Sequence, residues 1–278
     1  MNEHEMKLIS DFALKQSGIV LNESKAYLIE SRLGSIAEKH RFNSIAALAR
    51  GLATASMDLQ RDVIDALTTN ETFFFRDKTP FNLFEEVILP TLISTRPPGS
   101  RIRIWCAATS TGQEPYSLAM LVLKHKHLLA GRSVDILATD ISASALERAR
   151  EGLYSQFEVQ RGLPVQMLME HFVQEGSNWR ISRQVRDMVR FSELNLMTPF
   201  PQVGVQDVVY CRNVLIYFNN ESKRKVLDGL AAVTKPDGYL VLGAAETMIG
   251  HTEKFMRADG QRGLYQPAPR ESALRLRA

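Results

Sequence analysis

Only two cysteines occur in the 278 residues, Cys106 and Cys211, and no C-x-x-C spacing exists. That excludes a disulfide framework and a cysteine zinc site, and leads to the expectation of a reducing, cytoplasmic setting. No run approaches the ~18 consecutive apolar residues of a membrane span. The opening Met1-Asn2-Glu3-His4-Glu5 is acidic where a secretory signal would be basic. Direct membrane insertion is therefore not expected. Charge of one sign is also scarce: 34 Lys plus Arg face 31 Asp plus Glu, a net of +3. A nucleic-acid binder usually carries a strong basic patch, so that class is disfavoured. The six histidines are scattered, and His125 and His127, two apart on a helix, face different ways, so no metal site is expected. Internal repeats, low-complexity segments and the G-x-G-x-x-G dinucleotide fingerprint are all missing.

What is present is average in bulk and informative in order. Hydrophobic residues make up 45% and charged residues 23%, which suits a soluble globular chain of one or two domains. Residues 1–69 read as all helix. Ala26, Ile29, Leu33, Ile36 and Ala37 share one helix face behind a cap at Asn22, and Leu59, Val63, Ala66 and Leu67 share another. Residues 70–100 form a linker and a first helix with Thr79 as its cap and Pro80 in its first turn, and Arg96-Pro97-Pro98-Gly99-Ser100 breaks it. Phe73, Phe74 and Phe75 read as packing between the domains rather than a substrate box.

From residue 101 strand and helix alternate. Strands are expected at 101–106, 134–139, 189–194, 207–211 and 239–243, and helices at 114–129, 142–150 and 222–234, with 235–238 as a turn. Near-continuous apolar strands such as Asp207-Val208-Val209-Tyr210-Cys211 belong inside a parallel sheet covered on both faces. The fold class is α/β, a doubly wound Rossmann-like sheet over 101–266. Between the second and third strands, residues 155–188 are too long for a simple crossover. They read as a small inserted β subdomain, with a short helix and a hairpin turning at Glu175-Gly176-Ser177-Asn178. Residues 267–278 are expected to be a flexible tail.

In such a sheet ligands collect beyond the carboxyl ends of the strands. After the first strand, Ala107-Ala108-Thr109-Ser110-Thr111-Gly112 supplies small residues that let a ligand approach the backbone. Asp140 closes the second strand, where it can take two ribose hydroxyls or tie down a helix start, and position alone does not choose.

The blocks become specific together. Asn70-Glu71-Thr72-Phe73-Phe74-Phe75-Arg76-Asp77, Ala107-Ala108-x-Ser110-Thr111-Gly112-x-Glu114-Pro115-Tyr116-Ser117, Ala138-Thr139-Asp140-Ile141, Asn195-Leu196 and Cys211-Arg212-Asn213-Val214-Leu215-Ile216-Tyr217-Phe218 follow one another in that order. This pattern resembles the chemotaxis receptor methyltransferases, the CheR family, over nearly the whole chain. The resemblance implies a class I methyltransferase fold that uses S-adenosylmethionine, releases S-adenosylhomocysteine, and esterifies glutamates on the cytoplasmic helical bundle of chemoreceptors. It implies that Asn70, Thr72, Arg76 and Glu114 hold the methionine end of the cofactor, Glu114 facing its ammonium. Asp140 would take the ribose hydroxyls, while Asn195, Leu196, Arg212 and Asn213 border the adenine and the centre of the molecule. Arg76 and Tyr217 would orient the substrate carboxylate at the transfer site.

Three further expectations concern partners and alternatives. Lys25, Arg32 and Lys39 recur every seven residues on the helix at 22–40, opposite Glu23, Glu30 and Glu38, and the implied substrate, a glutamate-rich bundle, makes that stripe a docking surface. Some family members also hold a receptor's C-terminal peptide as an added strand on the β subdomain. The short turn at 175–178 lacks the longer glycine-containing loop of those members, which favours an enzyme independent of such a tether, expected to act as a monomer. Cys106 and Cys211 end strands that lie side by side in this fold, so oxidation joining them is a candidate block of the site against the plainer reading of two buried thiols. The competing functions are a cofactor-sensing receptor adaptor without turnover and a methyltransferase for another protein or a small molecule.

Overall fold

The structure, a computed structural model, describes residues 2–22, 26–258 and 260–269. Four helices come first: α1 (Glu3–Ser17), α2 (Ala26–Lys39), α3 (Ile45–Gly51) and α4 (Met57–Leu67). A capping box between Asn2 and Glu5 starts α1, and left-handed Gly18 ends it. Ser44 and Ser56 cap α3 and α4 in the same way, each accepting from a backbone N–H of the first turn. Ile29, Leu33 and Ala37 of α2 meet Leu59, Val63 and Leu67 of α4 in one core with Ile9, Phe12 and Leu48. The apolar faces read from periodicity are the faces that pack. The described part of α2 begins at Ala26; residues 23–25, between it and the cap expected at Asn22, lie outside the described residues, and so does the tail from 270.

The next helical stretch is divided into α5 (Thr79–Leu83), a wide π turn (Phe84–Ile88) and α6 (Leu89–Thr95). Lys78, not Thr79, precedes its first residue. The wide turn falls just before Pro90, whose nitrogen cannot donate to the helical ladder.

Then come β1 (Arg101–Cys106), α7 (Gln113–Lys124), β2 (Ser133–Asp140) and α8 (Ala143–Glu151). The insertion holds β3 (Leu153–Ser155), α9 (Gln156–Gln160), α10 (Val165–His171), β4 (Phe172–Glu175), β5 (Asn178–Ile181) and α11 (Arg183–Arg186). The chain closes with β6 (Val189–Glu193), β7 (Gln206–Cys211), α12 (Asn220–Val233), β8 (Thr234–Leu242), β9 (Phe255–Arg257) and β10 (Leu264–Pro267). The main sheet runs β6-β2-β1-β7-β8-β10-β9. Its first five strands are parallel and its last two antiparallel.

Side chains alternate across this sheet, and the alternation sorts two cores. Ile104, Cys106, Tyr210 and Val241 face one layer, under Phe81, Phe84, Leu118 and Val122. Trp105, Val209, Cys211 and Leu242 face the other, under Val226, Leu227 and Leu230 of α12. Cys106 pairs with Tyr210 in register, so Cys211, one residue on, points to the opposite face. The two cysteines end neighbouring strands without facing each other, which supports the plainer reading of two buried thiols over the candidate redox pair.

Several local expectations change. Lys235-Pro236-Asp237-Gly238 is not a separate turn: Gln206 pairs with Thr234 and Val208 with Tyr239, so the four residues bulge out inside β8. Pro267, placed in the tail by sequence, pairs with Phe255 at the sheet edge. The inserted hairpin gains a third strand, β3, on the far side of β5. Phe74 and Phe75 do not lie between domains; they sit in the sheet core, where Phe74 meets Tyr154 and Phe172 edge-on at 5.0 and 5.5 Å.

Candidate functional site

The carboxyl ends of β1, β2, β6 and β7 open into one cleft, roofed by the helical domain. Asn70, Thr72, Arg76, Glu114, Asp140, Asn195, Leu196, Arg212, Asn213 and Tyr217, scattered over almost 150 positions of sequence, all line it. Ile19, Val20, Leu21, Ile29 and Arg32 supply the opposite wall, and the empty space, open mouth included, is about 1290 Å³. The helical wall is pinned to the sheet by backbone. Val20 N–H donates to the Tyr217 carbonyl at 2.9 Å, Ile19 bridges Phe218, and the Asn195 amide donates to the Gln16 carbonyl at 2.6 Å.

The floor is the loop after β1. Ser110 and Gly112 are both left-handed, at φ 51° and 94°, which turns the chain sharply into α7. A Cβ at Gly112 would meet Ala149 Cβ at 3.0 Å and the Tyr154 hydroxyl at 3.2 Å, so the turn needs glycine. The Asp140 carboxylate ties this loop to the next, accepting from Ser110 N–H at 2.7 Å and Ser142 N–H at 2.9 Å. Ser142 is itself the cap of α8. Burial pushes the Asp140 carboxyl up, and the backbone donors of Ser142 and Ser110 oppose the push. A carboxylate offers about four acceptor positions, so room remains for a hydroxyl entering the cleft.

Charge is concentrated at the other end. Arg212 is nearly sealed from water, and its Nη1 donates to Glu114 Oε2 at 2.7 Å while Nη2 donates to Asp77 Oδ2 and the Arg76 carbonyl, each at 2.8 Å. Its buried Nε has no partner. Burial raises the Glu114 carboxyl above its ordinary value, and Arg212 holds against that rise. Arg212 thus lies against Glu114, the residue that the resemblance assigns to the methionine end of a cofactor. A carboxylate that is hard to keep charged gains from a second cation, and an orphaned guanidinium N–H gains from an anion. The pair together suits the zwitterionic end of an amino acid.

Of the basic stripe on α2, one described side chain turns inward and one stays at the surface. Arg32 turns inward, donating to the carbonyls of Leu67 and Thr68 at 3.2 and 2.9 Å and facing the cleft. Lys39 pairs with Asp62 of α4 at 2.7 Å, next to a 2.6 Å contact from His40 to the same carboxylate. Lys25 lies outside the described residues. Of the two described members of the stripe, Arg32 is engaged with the end of α4 and the cleft, while Lys39 stays at the surface, its side chain 63% exposed beside Asp62. Arg76 keeps to the rim: its Nη1 donates to the Glu71 carbonyl at 2.6 Å and its guanidinium stands 5.5 Å from the Phe73 ring centroid. Sequence reasoning missed Ser110 and Glu246. Glu246, in Ala244-Ala245-Glu246-Thr247 just past β8, could have been found as one more acidic residue after a strand's carboxyl end.

Comparison with known proteins gives one consistent result. Residues 4–68 match the family described as CheR methyltransferase, all-alpha domain, and residues 70–264 match CheR methyltransferase, SAM binding domain. Chemotaxis protein methyltransferase 1 of Vibrio cholerae is 40% identical over 259 residues, spanning 92% of this chain and 93% of the relative. Chemotaxis protein methyltransferase 1 of Pseudomonas aeruginosa is 40% identical over 248 residues, 88% and 90% of the two chains. The chemotaxis protein methyltransferase of Borreliella burgdorferi is 34% identical over 257 residues, 90% of each.

Proposed function

The chain belongs to the CheR methyltransferase family, and from that membership we propose that it esterifies glutamate side chains on the cytoplasmic helical bundle of chemoreceptors, in the service of chemotactic adaptation. It is an S-adenosylmethionine-dependent chemotaxis methyltransferase. The observation that carries the reading is convergence: all ten residues assigned by motif to cofactor and transfer line a single cleft.

The cleft's donor set fits the cofactor. Glu114 would take the ammonium, the free Nε of Arg212 the carboxylate, and Asn70 and Thr72 the edge between them. Asp140 would accept the ribose hydroxyls, and Asn195 and Leu196 would flank the adenine. When bound, S-adenosylmethionine supplies an electrophilic methyl on a sulfonium. The protein needs no general base, because a glutamate carboxylate with a pKa of about 4.3 is already ionised at neutral pH. Its task is to align oxygen, carbon and sulfur and to exclude water. Arg76, anchored by one nitrogen to the Glu71 carbonyl, keeps its other donors for one oxygen of the incoming carboxylate, and Tyr217 bounds the same space. Clamping both oxygens would hold down the nucleophile.

The test is incubation with methyl-labelled S-adenosylmethionine and membranes that contain chemoreceptors. Base-labile methyl esters on the receptors are expected. Cofactor binding without ester formation would instead make the protein an adaptor, and esters on other proteins alone would overturn the receptor assignment.

A further inference from the structure

The loop after β7 reaches the cleft because one carboxylate holds it there. Asn213 N–H donates to Glu246 Oε2 at 2.8 Å, and Val214 and Leu215 N–H donate to Oε1 at 2.9 and 2.8 Å. Gly243 N–H adds a fourth bond, to Oε2 at 2.8 Å. Asn213 is left-handed at φ 58°, the arrangement in which successive N–H groups turn to one side and form an anion nest. The anion in this nest is the protein's own side chain, only 9% exposed. Hydrogen bonds to an ionised acceptor are roughly twice as strong as neutral ones, so four on one carboxylate fix the loop firmly.

Glu246 does not line the cofactor cleft. It lines a neighbouring groove with Asp77 and Gly243, on the far side of the loop from Tyr217. Yet Tyr217 depends on it. The short helical turn Leu215–Tyr217 begins where the nest ends, and Tyr217 N–H donates back to the Val214 carbonyl at 3.1 Å. Gly243 completes the device: a Cβ there would stand 2.6 Å from Glu246 Oε2, 3.0 Å from Asn213 N and 3.1 Å from Asn213 Nδ2.

We propose that Glu246 is a positioning residue for methyl transfer, setting Asn213 and Tyr217 through the Asn213–Leu215 backbone without touching cofactor or substrate. The inference rests on the methyltransferase reading above. A misplacement of about 1 Å at a reacting centre can cost on the order of 100-fold in rate, so a loosened nest acts on turnover before it acts on affinity.

Two variants strain the nest from different sides. Glu246→Gln keeps the size but aims an amide NH2 at two backbone donors, breaking half of the bonds; Gly243→Ala keeps the carboxylate and crowds it. Each is expected to lower kcat for receptor esterification roughly 10- to 100-fold, while the Kd for S-adenosylmethionine, read by calorimetry, moves much less. The double variant is expected to lose far less than the product of the two. Leu92→Ala, on α6 in the core layer across the sheet from the loop, is the control. It lowers Tm and leaves kcat intact at temperatures where the protein is folded. If the two nest variants, like the control, lower Tm and keep full kcat at temperatures where the protein is folded, Glu246 is a stability residue and the inference is overturned. Wild-type protein that forms no esters overturns both this inference and the reading under it, whereas active wild type with fully active variants overturns this inference alone.

Discussion

Arg212 Nη1 donates to Glu114 Oε2 at 2.7 Å, with the two side chains 2% and 9% exposed. Removing one member of such a pair leaves an uncompensated buried charge, at a cost of about 3–5 kcal/mol. Arg212→Met, which strands both Glu114 and Asp77, is therefore expected to lose stability on that scale in urea denaturation.

Glu114→Gln leaves Arg212 paired with Asp77, so a smaller stability loss is expected, together with a drop in cofactor affinity of at least ~10-fold, or about 1.4 kcal/mol. The wild type should also lose affinity on acidification. Burial raises the Glu114 pKa, and only the ionised form can hold an ammonium, so affinity starts to fall above the ordinary carboxylate value of 4.5. Calorimetry across pH would show this fall in the wild type and a shallower one in Glu114→Gln, where Asp140, also raised by burial, still titrates. The same fall in both would remove Glu114 from the ammonium site.

Tyr217→Phe and Arg76→Ala should separate transfer from cofactor binding. Tyr217→Phe is expected to lower kcat roughly 10- to 100-fold with the cofactor Kd little changed. Arg76→Ala should raise KM for receptor as well, since it removes a cation from the rim. Equal losses of cofactor affinity and kcat in Tyr217→Phe would place that side chain on the cofactor instead.

Both thiols are fully buried on opposite faces of the sheet, and burial pushes the pKa of each well above its ordinary value. Thiolate is the reactive form. Mild oxidant is expected to leave methyl transfer intact, and thiol titration should find no reactive group in the native protein and two after unfolding. A Cys106–Cys211 disulfide by mass spectrometry would contradict the register.

Asp62 joins α2 to α4. Burial pushes its carboxyl up, but the bonds from Lys39 and His40 outweigh that and leave its pKa below the ordinary 3.8. A depressed carboxyl stabilises the fold above its unfolded value, and the benefit is lost as pH falls through the folded one. Asp62→Asn is thus expected to melt below wild type at neutral pH, with the gap in Tm closing below pH 3.8. A gap that persists unchanged in acid would mean that the ion pair contributes nothing.

The cleft was legible because this architecture gathers ligands after strand ends, and the alternation of strand and helix from residue 101 located those ends. What sequence could not supply was facing. A seven-residue spacing puts Arg32 and Lys39 on one side of α2 but does not say that Arg32 turns in to the Leu67 and Thr68 carbonyls while Lys39 pairs with Asp62 at the surface. Strand adjacency put Cys106 beside Cys211, yet only the register with Tyr210 shows that they point apart. Lys235-Pro236-Asp237-Gly238 has turn composition and is absorbed as a bulge because Arg96 holds Asp237 through two bonds, at 2.6 and 2.9 Å, and Asp207 of the neighbouring strand through Nε at 2.7 Å. Strands β9 and β10 are short and enclose a loop, so no alternation announces them.

The bridge from Ile19 and Val20 to Phe218 and Tyr217 bears on how relatives can be recombined. A chimera joined near Asn70 inherits the roof of the cleft from one parent and the tyrosine loop from the other. Those halves meet through main-chain pairing as well as side chains, so matching the surface residues of the junction is not enough. The segment 18–21 has to travel with its own 213–218 loop, two pieces far apart in sequence that behave as one heritable part.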